Sequence, residues 1–192
     1  MNQVATTVRS TRRKRDATLS EACLQLAAYT DEACPSIPLR DVGVHIWVVG
    51  GLPFSRRLVR GPEFRLRQRR HSGIVFKKGI GLIGRAWRQR RSQIEDLDSR
   101  FSGVRNETDY ATLSEDENFG LSWRAFLRVR RYRSIWAEPL FQHSKLGSEV
   151  VGVVSIDIQT SGAYQELQAA TTGNPGDELE AILKACETEL SR

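Results

Sequence analysis

Gly79-Ile80-Gly81-Leu82-Ile83-Gly84-Arg85-Ala86-Trp87 is the stretch whose reading decides the fold. Its glycines permit positive φ and close backbone approach, and the apolar residues after them recur at helical spacing. The stretch predicts a tight turn opening a helix over residues 82–91. Unpaired N–H groups at such a helix start can receive an anion, but glycines that let a helix pack on a sheet are the commoner case. Arg85 follows Gly84 where a phosphate loop would need Lys and then Ser or Thr, and the spacing is not a dinucleotide fingerprint.

Working upstream, Ile74-Val75-Phe76 reads as a brief strand and residues 42–49 as a longer one rich in β-branched side chains. Gly50-Gly51-Leu52-Pro53 turns the chain between residues 42–49 and an extended run over 56–60, and Gly61-Pro62 leads on to 63–70. There Phe64 and Leu66 alternate with Arg65, Arg67 and Arg69, which gives one apolar and one cationic face. Acids on a neighbouring strand are the first expected partners of that cationic face. Downstream, residues 93–97 form a strand with Asp96 near its end. Residues 98–118 read as a long polar loop with one helical turn, and 119–132 as a helix with Ser122 as cap. Residues 134–141 and 149–160 make a terminal hairpin.

This ordered set resembles a GAF domain, the small-molecule sensor module of signalling proteins. The resemblance covers roughly residues 42–160 and rests on the glycine turn, Gln93-Ile94-Glu95-Asp96, Ser134-Ile135-Trp136-Ala137-Glu138-Pro139-Leu140 and Val150-Val151-Gly152-Val153-Val154-Ser155-Ile156-Asp157. It implies an α+β fold, an antiparallel sheet of about six strands with helices on both faces. It also implies a pocket between sheet and helices, and the residues mapped onto that pocket are Phe76, Trp87, Asp96, Trp123, Tyr132, Arg133 and Ser134. Aromatic walls with a few polar groups suit a flat heteroaromatic ligand such as a nucleotide. For Trp87 and Trp123 an ordinary core role is the competing reading, and for Asp96 the cap of a neighbouring turn.

The flanks complete the chain. Residues 1–16, with Arg9, Arg12, Arg13, Lys14 and Arg15, carry too little apolar surface to order themselves and are expected as a flexible basic arm. Residues 17–192 are expected as one domain. Amphipathic helices are expected over 17–30 and over 177–190, the latter striped with Leu179, Ile182, Leu183, Cys186 and Leu190. The two should pack together, and their leftover apolar surface should build a homodimer or meet a separate output protein.

Composition narrows the function. The 192 residues carry a net charge of +6 and a pI of about 9.6, which favours anionic partners, nucleic acid among them. No helix-turn-helix or RNA-binding aromatic pattern accompanies that charge. Cys23, Cys34 and Cys186 lack metal-site spacing, and no cysteine lies between residues 42 and 160. In the family, bilin attachment and methionine sulfoxide reduction both need a core thiol, so that absence counts against both. The Asn-Lys-Phe-Asp-Glu set of cyclic-nucleotide binding is not matched. His45, His71 and His143 show no ligand spacing, no hydrolase motif is present, and no run approaches the roughly 18 apolar residues of a membrane span. The expectation is a non-catalytic, cytoplasmic sensor whose ligand and cofactor are unspecified. A ligand-free protein interaction module is the alternative, and nucleic-acid binding through the arm is the third reading.

Overall fold

A computed structural model describes residues 2–67, 75–145, 147–173 and 176–191. Five strands form one antiparallel sheet: β1 (Val42–Gly50), β2 (Arg57–Phe64), β3 (Gln93–Asp96), β4 (Ser134–Ser144) and β5 (Gly147–Ile158), in the order β2-β1-β5-β4-β3. The expected α+β class with helices on both faces is what the chain adopts, with five strands among the described residues where about six were expected. Residues 56–60 and 63–70 were expected as separate strands. Strand β2 joins the first run to the start of the second and ends at Phe64, and the register slip between His45 and Trp47 accommodates Gly61-Pro62 as a bulge. Phe76 contributes a single bridge to Leu58. Ile74 and Arg69 lie outside the described residues.

The period-two alternation of β1 and β5 divides the core in two. Val42, Val44 and Ile46 face the same side as Val154, Ile156 and Ile158, and they pack with Trp136 and Leu140 against α1 (Asn2–Ala33), α6 (Tyr164–Gln168) and α7 (Asp177–Leu190). Leu19, Cys23 and Leu26 of α1 meet Leu179, Ile182 and Cys186 of α7 in that layer, so the terminal helices lie side by side as expected. The opposite face is covered by α2 (Gly81–Gln89) and flanked by α3 (Leu97–Arg100), α4 (Glu107–Ala111) and α5 (Trp123–Val129).

The N-terminal expectation needs correction. Helix α1 runs 32 residues, from Asn2 to Ala33, so the segment expected as a flexible arm is helical from Asn2 onward. No glycine or proline interrupts residues 2–33. Once the buried turns at Leu19–Ala27 nucleate the helix, each further residue adds one backbone bond at little cost, and apolar burial is not required for propagation. Among the described residues no helix is long and apolar enough to cross a membrane.

The glycine turn is built as read. Gly79 (φ 91°) and Gly81 (φ 69°) sit in the left-handed region. A Cβ on Gly81 would meet the Phe76 ring at 2.7 Å, and one on Gly84 would meet the Lys77 carbonyl at 2.3 Å. Close packing therefore accounts for these glycines, and Gly81 N–H is spent on the carbonyl of Phe119 at 2.8 Å.

Candidate functional site

The sheet face beneath α2 carries a row of polar groups where apolar ones would be expected. Gly43 of β1 pairs with Asp157 of β5, and His45 pairs with Ser155 on one side and Glu63 on the other. Because β2 stops at Phe64, Arg65 is free to turn inward, and its guanidinium lies over Gly43. A Cβ there would sit 1.9 Å from Arg65 Nη2. The missing side chain lets Arg65 cross β1 and donate to Asp157 Oδ1. Asp157 Oδ2 accepts from His45 Nε2 at 2.8 Å, and His45 Nδ1 reaches Glu63 Oε2 at 3.1 Å. Arg60 Nη1 donates to the same Glu63 oxygen at 2.6 Å, and Trp47 Nε1 donates to Ser155 Oγ at 3.1 Å.

A neutral imidazole has one N–H, so only the imidazolium form of His45 can donate to both carboxylates. Burial pulls the His45 pKa down, but the bonds to Asp157 and Glu63 prevail and hold it above the ordinary histidine value. Burial likewise pushes Asp157 up, and His45 with Arg65 more than reverses this, leaving its carboxylate below the ordinary range. While both bonds hold, His45 has no lone pair to offer as a base. The cluster's work is to fix charge and geometry.

Tyr132 connects this network to open space. Its ring lies under the guanidiniums of Arg65, at 5.5 Å, and Arg131, at 5.0 Å. Arg131 Nη2 also donates to the Tyr132 hydroxyl at 3.0 Å. Beside it a half-open cavity of about 540 Å³ is walled by Phe101 of the α3–α4 segment, Phe126 and Val129 of α5, and Arg131, Tyr132 and Arg133 leading into β4. Among the described residues, Nη1 of Arg65 and Nε of Arg131, both near Tyr132, are buried with no acceptor. The Arg65 side chain is only 9% exposed.

The seven residues mapped from the sequence do not converge. Tyr132 and Arg133 line this cavity, with Arg133 held to Asp98 Oδ1 at 2.9 Å. Phe76 and Trp87 are buried in the cluster under α2, where Phe76 meets Trp47 edge-on at 5.0 Å. Trp123 stacks on Phe126 from behind the cavity wall. Asp96 and Ser134 share a strand pair whose side chains face the α6 layer. Asp96 caps α3 by accepting from Asp98 and Ser99 N–H at 3.1 and 3.2 Å, and Ser134 is buried. The interior bounded by Gly81, Asp96 and Tyr132 is packed with Leu82, Leu97, Phe119, Leu121 and Ile135, so the open volume lies outward of it.

Sequence reasoning missed His45, Glu63 and Asp157. Their separation along the chain hides them until strand register is known. Arg65 was read as part of a cationic strand face that pairs with acids on a neighbouring strand. Its bond to Asp157 meets the pairing, while the strand face itself ends at Phe64, and exposed Arg67 reaches Asp41 at 3.4 Å.

The cysteines lie on the other side of the sheet. All three are free and buried in the layer of α1 and α7. Burial first, then neighbouring acidic groups, push the thiols of Cys23 and Cys186 up to about 12 and that of Cys34 to about 11.

No protein-family model matches the sequence, and no curated protein matches it. Solved structures do. The type II free methionine-R-sulfoxide reductase from Thermoplasma acidophilum is 16% identical, with 94% of each chain covered and a TM-score of 0.55. The GAF domain from Acinetobacter phosphoenolpyruvate-protein phosphotransferase is 13% identical over 100% of this chain and 95% of that one, with a TM-score of 0.48. A structure described simply as the GAF domain is 14% identical over 91% and 88%, with a TM-score of 0.47. At these identities the likeness speaks for the fold alone, and the Thermoplasma reductase is the structure whose similarity carries it. The expectation of a non-catalytic chain is corrected by the Thermoplasma structure: a reductase has this fold, so the fold cannot serve as a sign that catalysis is lacking.

Proposed function

We propose that this GAF-like domain binds a small anionic molecule with a flat ring in the cavity between α3 and α5. The observation that carries the reading is the cavity itself, where the rings of Phe101, Phe126 and Tyr132 stand beside Arg130, Arg131 and Arg133. A carboxylate or phosphate there would meet guanidinium groups in the cavity wall, and charge-assisted bonds to such groups are strong. Phe101, Phe126 and Tyr132 supply the apolar walls, and a volume of about 540 Å³ suits a metabolite. Occupancy would fix the segment 98–118 against α5. The bound state would then pass through the sheet to α1 and α7, where Leu24, half exposed, offers apolar surface to a second copy or a separate protein.

The test is a thermal-shift panel of aromatic carboxylates, nucleotides and free methionine-R-sulfoxide, run on the wild type and on Arg131→Gln. Stabilisation by an anionic ring compound that disappears in Arg131→Gln supports the reading. Stabilisation confined to uncharged compounds, or equal in both proteins, contradicts it. The sulfoxide is also incubated with a thiol reductant and followed for loss of substrate, since that conversion is what the Thermoplasma protein's name describes.

A further inference from the structure

The opposite end of the sheet from the cavity has a different character. The β1–β2 turn projects there, with Gly51 at φ 101° reversing the chain. Leu52 is 73% exposed and Phe54 is fully exposed, so two large apolar side chains stand on the tip of a short turn. Arg57, which follows the turn, and Lys77 and Lys78 are exposed. Phe54, Lys78, Trp87 and Arg90 come together with Arg56 in one groove, which places the turn, the segment after Phe76 and the end of α2 on a common surface. Its acid, Glu149, is engaged by Arg56, and Arg90 is held by the Ser148 carbonyl at 2.6 Å. Lys78 reaches over the Trp87 ring at 5.9 Å, and Arg57 and Lys77 are exposed.

We propose that this tip is a docking surface for an anionic membrane. Two apolar side chains on a projecting turn above a ring of cations match the layering of a bilayer surface, with acyl chains below anionic headgroups. A nucleic acid would use the cations and could stack on Phe54, but it offers nothing for Leu52, and Trp87 is buried. An acidic protein would need a shaped apolar receptor for a protruding tip, which a bilayer interface does not. The inference is independent of the cavity, because the two lie at opposite ends of the strands. A membrane-bound domain would keep its cavity open to the aqueous side.

The experiment is vesicle co-sedimentation of the full chain with phosphatidylcholine alone and with phosphatidylcholine mixed with phosphatidylserine, at low and high salt. A DNA and RNA retention assay runs in parallel. Binding to the anionic vesicles, weakened by salt, is expected. The double substitution Leu52→Ser with Phe54→Ser should lower vesicle affinity by roughly tenfold or more, and Lys77→Glu with Lys78→Glu should lower it by at least roughly tenfold. All four positions are exposed, and unchanged circular dichroism and melting confirm that the variants fold. No binding to either vesicle overturns the proposal. So does vesicle binding that survives the loss of Leu52 and Phe54, or retention on nucleic acid without vesicle binding.

Discussion

Replacing Asp157 by Asn removes the negative charge at the centre of the buried network while keeping its shape. The side chain is 6% exposed and accepts from both Arg65 and His45. Without its charge, Arg65 Nη2 and His45 Nε2 remain 3.2 Å apart with nothing between them to neutralise. Removing one partner of a buried ion pair costs about 3–5 kcal/mol, a large share of the roughly 5–15 kcal/mol that holds a domain together. The cost depends on pH in a definite direction. His45 is raised in the fold, so its stabilisation is fully present below the unfolded value of about 6.5 and fades as pH rises through the folded value. Asp157 is lowered, so its contribution is present above about 3.9 and is lost as pH falls further. The wild-type network is therefore strongest between about pH 4 and pH 6.5. In Asp157→Asn, His45 gives up its proton more readily, which relieves the repulsion only at higher pH. Urea denaturation should show the variant's deficit widening from about pH 8 to about pH 5.5. Glu149→Gln, which touches only the exposed pair with Arg56, should cost no more than about 1 kcal/mol. A deficit below about 1 kcal/mol for Asp157→Asn, or one flat across that pH range, would refute the reasoning.

Gly84→Ala places a methyl group against the Lys77 carbonyl, a backbone atom that cannot step aside, and should destabilise by about 2 kcal/mol in the same assay; an unchanged midpoint would show that the turn adapts. Arg85 donates to the carbonyls of Glu115 and Asp116 and lies over Phe119, whose φ of 56° is strained for a residue with a side chain. Arg85→Met should release that segment, seen as faster amide exchange over residues 114–121, whereas unaltered exchange would assign the restraint elsewhere. The three thiols should resist an aromatic disulfide reagent at about pH 8 until the protein unfolds, because burial holds them protonated; rapid labelling of the native protein would contradict that.

The fold was legible where periodicity and punctuation agree. The glycine turn, the strand of residues 93–96, the Ser122 cap and α7 all follow from patterns within a few residues, and Ser122 Oγ does accept from Ala125 N–H. Residues 1–16 carry no apolar signal for a helix of their own, yet α1 only has to continue one already packed at Leu19 and Leu26. Of the seven residues mapped from the sequence, Tyr132 and Arg133 are the two that line the cavity. Gly43 shows why: no local signal marks it, since its value lies in being opposite both Arg65 and Asp157. Asp96 illustrates the converse, a residue conspicuous in sequence whose side chain is occupied by two backbone N–H groups of the next helix.

The most direct trial of ligand binding beside Tyr132 is native mass spectrometry of the protein purified from cells, compared with Arg131→Gln prepared identically. An additional mass on the wild type, matching an anionic small molecule and missing from the variant, is the expected result. A wild type that flies at its bare polypeptide mass and gains nothing from cell extract would contradict the account, as would an adduct that both proteins retain equally.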